Sequence, residues 1–153
     1  MTAIFYLSIE QALDIHRKTI DVSGGGTHGV LNVGQLESVL EHIQNDLFYP
    51  TFEDKLTHLF FSACKFHCFQ DGNKRIAITL SAQMLLLNGY LRCALTFFRE
   101  TENISYHVAA GRIDKELLHE FITAMLNGTE DDEALKLKLV HAMASDDTAH
   151  DRI

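Results

Sequence analysis

The sequence predicts an all-α fold, a compact bundle of about six to seven helices around a buried central helix, with one short flap loop or hairpin. Three observations predict it. Proline occurs once, at Pro50, so almost nothing interrupts helical hydrogen bonding. Apolar residues recur at spacings of three and four far more than at spacings of two. The stretch Asn73–Asn88 is apolar nearly all round, as expected of a helix enclosed by others.

The first helix follows Ser8, which with Gln11 forms a capping-box pattern, and carries Ile9, Ala12, Leu13, His16 and Ile20 on one face until Gly24–Gly26. Asn32 can cap a second, shorter helix that turns Val33, Leu36, Leu40 and Ile43 inward. Gln44–Pro50 is irregular and reads as a loop or a short hairpin. Thr51 caps a third helix whose inward residues are Phe52, Leu56, Leu59, Phe60 and Ala63. A break at Gln70–Gly72 precedes the central helix, which Asn88–Gly89 ends with a left-handed cap. Further helices are expected over Glu102–Ala110, from the cap Asp114 to Leu126, and over Asp131–Ala144, with a frayed tail from Ser145. Residues 1–126 form the core domain, and 127–153 form an acidic, partly helical extension.

The formal net charge of −8 excludes a broad basic surface for nucleic acid, whose binding requires Lys and Arg against phosphates. No apolar run approaches the ~20 residues that span a bilayer, and Met1–Glu10 lacks the pattern of a secretory signal. The expected location is cytoplasmic. Cys64, Cys68 and Cys93 are too few and too uneven for a disulfide framework, and no second ligand pair supports zinc beside Cys64, His67 and Cys68.

The chemistry concentrates in His67–Arg75. A helix starting at Asn73 offers unpaired N–H groups and partial positive charge to an anion. Gly72 permits close approach of the backbone, while Lys74 and Arg75 make a local positive island on an acidic chain. Asp71 is a lone carboxylate suited to a Mg ion that bridges phosphate oxygens. His67 is suited to take a proton from a hydroxyl near neutral pH, and Phe69 pins the loop to the core.

His67-x-Phe69-x-Asp71-Gly72-Asn73-Lys74-Arg75 resembles the Fic signature, H-x-F-x-[DE]-[AG]-N-[GK]-R. Leu7–His16, Gly34–Ser38, Leu47–Thr51, Leu87–Gly89 and Ala109–Ile113 resemble recurring blocks of the death-on-curing (Doc) branch, so the likeness covers about Ala3–Leu126. The resemblance to the Fic/Doc family implies that His67 activates a target hydroxyl and Asp71 binds Mg. It implies that Gly72, Asn73 and Lys74 form an anion hole for ATP or another nucleoside triphosphate, with Arg75 holding a phosphate. Gln44, Asn45, Asp46, Leu47, Phe48 and Tyr49 would be the flap that aligns a protein substrate by strand-like pairing.

The adenylylating pattern of that family reads G-N-G-R-x-x-R. Here its second Gly is Lys74 and its second Arg is Ile78, departures that favour a nucleotide presenting its γ-phosphate, as in Doc-type protein kinases. Gly72 resembles the adenylylating branch and keeps AMP transfer as the alternative; a non-catalytic binding module that retains the fold is the other. Resemblance to Doc further implies a toxin of a toxin–antitoxin pair, restrained by a small antitoxin protein, with elongation factor Tu as the family's reported target. Thr129-x-x-x-Glu133-Ala134 nearly matches the inhibitory motif of self-restrained Fic proteins, which makes Glu133 a candidate inhibitory residue, but Ile78 stands where such a Glu would find its Arg, and an acidic helix start is the simpler account of Glu130–Glu133.

Overall fold

A computed structural model describes residues 3–22, 33–65 and 73–150, with the backbone alone for Asn73 and 145–150; among these residues there are eight helices and no strand. They are α1 (Ile9–Val22), α2 (Val33–His42), α3 (Phe52–Lys65), α4 (Asn73–Leu87), α5 (Leu91–Glu100), α6 (Glu102–Ala109), α7 (Lys115–Asn127) and α8 (Glu133–His150). Helix caps set most of the boundaries. Ser8 Oγ accepts from Gln11 N at 3.1 Å while Gln11 Oε1 accepts from Ser8 N at 2.9 Å, the expected reciprocal box. Thr51 and Asp54 repeat the arrangement ahead of α3, and Asp114 Oδ1 accepts from Leu117 N at 2.8 Å to open α7. Asn32, the expected cap of α2, lies outside the described residues.

Helix α4 is the centre. Ile76, Ala77, Leu80, Ala82, Met84 and Leu85 are buried, and the helix packs against α1, α3, α5 and α6 together. Gly89, at φ +87°, closes it, with Tyr90 N donating to Leu85 O at 2.9 Å. Asn88 then ties the chain's start to this end: its Oδ1 accepts from Phe5 N and its Nδ2 donates to Phe5 O, both at 2.9 Å. The extended segment before α1 is thereby held as if paired to a strand. Phe60 of α3 meets Phe97 of α5 edge-on, centroids 5.2 Å apart, a contact worth about 0.5–1.5 kcal/mol beyond its area.

Helix α5 is a correction to the sequence reading, which assigned nothing to Leu91–Glu100 and so expected six to seven helices. Cys93, Ala94 and Phe97 do lie on one buried face. The start, however, carries no capping side chain, and only Thr101 separates α5 from α6. With no turn residue between them, the two helices leave no boundary signal. Helix α8 likewise continues to His150, beyond Ala144.

The flap, Gln44–Tyr49, is a loop of consecutive turns, with Tyr49 N donating to Asn45 O at 2.9 Å and Leu47 N to Asn45 Oδ1 at 2.9 Å. The hairpin form of that expectation is not adopted. What holds the loop is Lys55, whose side chain is fully buried on α3. Its Nζ donates to Ile43 O at 2.8 Å and to Asp46 Oδ1 at 2.7 Å, with the Tyr6 ring 5.6 Å away. Burial alone would push this ammonium down, but Asp46 and Tyr6 outweigh it and raise it above its ordinary value. Lys55→Met should keep the stem's volume and strand the Ile43 carbonyl, costing about 1–3 kcal/mol. A urea midpoint equal to that of the parent protein would refute this role.

Candidate functional site

The predicted phosphate island falls at the start of α4. Lys74 and Arg75 are exposed in its first turn, and that turn contains no acidic residue. His67, Phe69, Asp71 and Gly72 lie outside the described residues; Asn73 heads the helix. Two hollows meet at Arg75. One, of about 250 Å³, is lined by Lys74, Arg75, Ile78, Glu102, Asn103, Ser105 and Tyr106. The other, of about 460 Å³, runs along α4 between α1 and α5 and is mainly apolar, with Ile15, Val22, Ile78, Ala82, Leu86 and Phe98 on its walls and Lys18, Arg75 and Glu102 as its charged groups. Ile78 faces both hollows and is only 8% exposed, so the position one turn into the helix supplies an apolar wall rather than a cation.

Cys64 sits behind this turn. Burial pushes its thiol up to about 12, although Lys74 and Lys65 pull the other way. It is therefore an unreactive core residue at neutral pH. Among the described residues no group of three or more His, Cys, Asp or Glu side chains is arranged to hold a metal ion. None of their helices is long and apolar enough to cross a membrane.

The flap divides its residues. Leu47 and Phe48 are 90% and 76% exposed, a large apolar surface at a loop tip. Tyr49 turns inward and stacks on His58, centroids 4.6 Å apart. His58 Nδ1 lies 2.8 Å from Lys115 Nζ, at the start of α7. Desolvation first, then the charges of Lys115 and His42, push the His58 imidazole down to about 4, so it is a neutral acceptor for the lysine. Nearby, His119 Nε2 is 2.9 Å from Asp54 Oδ1.

Glu133 is exposed in the first turn of α8, a helix that packs on α7. Asp132 caps this helix, its Oδ2 accepting from Leu135 N at 3.0 Å, which gives the acidic run a structural use. The sequence reading missed three polar residues of this region: Lys55, His58 and Lys115. Lys55 had a visible signal, since it shares the helical face of Phe52, Leu56 and Leu59. His58 and Lys115 had none, because they meet across 57 positions of chain.

Comparison with known proteins places these residues in context. The family model described as the Fic/DOC family matches residues 6–85, slightly more than half of the chain. No curated protein matches.

The depressed imidazole links pH to stability. Between the unfolded value of 6.5 and the folded value of about 4, the unfolded chain binds more protons at His58. The stabilisation is therefore complete above pH 6.5 and drains away as pH falls towards 4. His58→Gln, which retains an acceptor for Lys115 but does not titrate, should flatten the stability profile across that window. Denaturant midpoints that fall equally steeply in both proteins would rule the assignment out.

Proposed function

The chain belongs to the Fic/Doc family of nucleotide-dependent, protein-modifying transferases, and from that premise we propose that it is a Doc-like protein kinase. The acceptor is a Ser or Thr hydroxyl of a protein such as elongation factor Tu, and a small antitoxin partner restrains the enzyme in the cytoplasm. The observation that carries the kinase reading is the entry to α4: Lys74 and Arg75 stand exposed in an acid-free first turn while Ile78 is apolar and buried. A triphosphate there meets cations at the helix mouth and, one turn further in, Ile78 in place of a second clamping cation, with Glu102 on the opposite wall. That arrangement suits a nucleotide that presents its terminal phosphate.

In this reading His67 accepts the proton as the hydroxyl oxygen bonds to the γ-phosphorus, the bond to the β-phosphate oxygen breaks, and ADP leaves. Gly72, Asn73, Lys74 and Arg75 hold the phosphates, and Phe69 anchors the loop that carries the histidine. Mg would be held by Asp71, since one carboxylate suffices when phosphates and water complete the shell, and the ion would supply neutralising charge. Gln44–Tyr49 positions the target segment. The exposed Leu47 and Phe48 at its tip support that role.

ATP labelled separately at the α and γ positions tests the reaction. Label should reach protein from the γ position only; transfer from the α position alone would replace the kinase reading with AMP transfer. His67→Ala should lower either transfer by at least about 10²–10⁴-fold.

A further inference from the structure

Lys55 lies fully buried on α3, and the transfer chemistry does not use it. An apolar side chain would fill the same space without desolvating a charge. What the ammonium adds is direction. Ile43 follows the last residue of α2, where helix-end carbonyls lack an intrahelical partner, and Lys55 Nζ reaches its oxygen at 2.8 Å. The same Nζ donates to Asp46 Oδ1 at 2.7 Å, three residues further on. One side chain thus grips the flap both at its root and within its turn.

This grip is referenced to the central helix. Asn88, just past the end of α4, bonds both backbone groups of Phe5, and the next residue, Tyr6, sets its ring 5.6 Å from Lys55 Nζ. The far end of the flap is held as well, by Tyr49 stacked on His58 of the same α3. Between the two anchors, the Leu47 and Tyr49 amides both bond to Asn45. The turn so fixed keeps Leu47 and Phe48 in solvent, where the hydrophobic effect alone would not leave them.

We propose that Lys55 is a positioning residue for the protein target, fixing the flap in the arrangement that presents Leu47 and Phe48 for docking. The inference deepens the proposed function and rests on the flap serving as the docking element. It separates the two substrates kinetically. Without the grip, target binding must also order the loop, so KM for the target rises. The nucleotide site, built on the start of α4, keeps its geometry, so kcat and KM for ATP stay as they are.

The full chain is assayed with ATP labelled at both the α and γ positions, so that either transfer is read, against serial dilutions of a cell-free translation extract as target. Lys55→Met should raise the extract concentration for half-maximal labelling about three- to tenfold, with plateau rate and half-saturating ATP unchanged within about twofold. Asp46→Ala, at a side chain 80% exposed, should move it the same way by less, and decides the matter if the Met variant does not fold. Ile122→Val, a core change two turns along α7 from Lys115, should lower stability and leave the half-maximal concentration alone. Amide exchange needs neither nucleotide nor target. It should quicken at Leu47 and Tyr49 in Lys55→Met by about tenfold or more relative to amides of α4. An unchanged half-maximal concentration in both flap variants, a lowered plateau in its place, an equal shift in Ile122→Val, or unaltered exchange would each overturn the proposal. Absence of label with the parent protein would overturn the proposed function itself, and the positioning role with it.

Discussion

The architecture depends on enclosing α4. A helix apolar on nearly every side cannot rest on one neighbour, so α1, α3, α5 and α6 must surround it, and their order follows from that demand. Enclosure leaves the two ends, and the narrow flank where Thr79 meets Thr19, for polar work. At the C-terminal end Asn88 captures the backbone of Phe5 and draws the chain's start into the bundle. At the N-terminal end Lys74 and Arg75 reach solvent. The Phe60–Phe97 contact joins α3 to α5, two of the four helices that enclose α4.

What could be read from residues alone was what is local. Ser8 with Gln11, Thr51 with Asp54, and Asp114 with Leu117 are capping pairs three residues apart, and the structure uses all three. On α7 the helical spacing picks out Leu117, Leu118, Phe121, Ile122 and Met125, of which all but the half-buried Leu117 lie within the core. Helix α5 escaped because Tyr90 offers no cap and Thr101 no break. The region behind the flap escaped for a different reason. Tyr49, His58 and Lys115 come from three separated elements, and their meeting is a property of the packed bundle. The motif His67–Arg75 was legible as a pattern; of it, the described residues include the helix start and the two cations.

The first turn of α4 differs in charge from most helix starts of the bundle. Helices α1, α3, α6, α7 and α8 each carry Asp or Glu in the first turn, where negative charge complements the helix dipole. Helix α4 reverses the rule with two cations and no acid. Each such charge at the wrong end costs about 0.3–1 kcal/mol. Helices α2 and α5 also begin without an acid, and Arg92 stands in the first turn of α5, so what sets α4 apart is its pair of adjacent cations.

Cations at a helix start break a local rule, and such breaks mark places where a fold can serve something other than its own stability. An anion there would be favoured by the dipole and by both cations together. Glu102, which lines both hollows, works against such an anion, so the balance between it and the two cations decides what the proposed site can hold. That balance is set without moving α4, which its four neighbours hold in place.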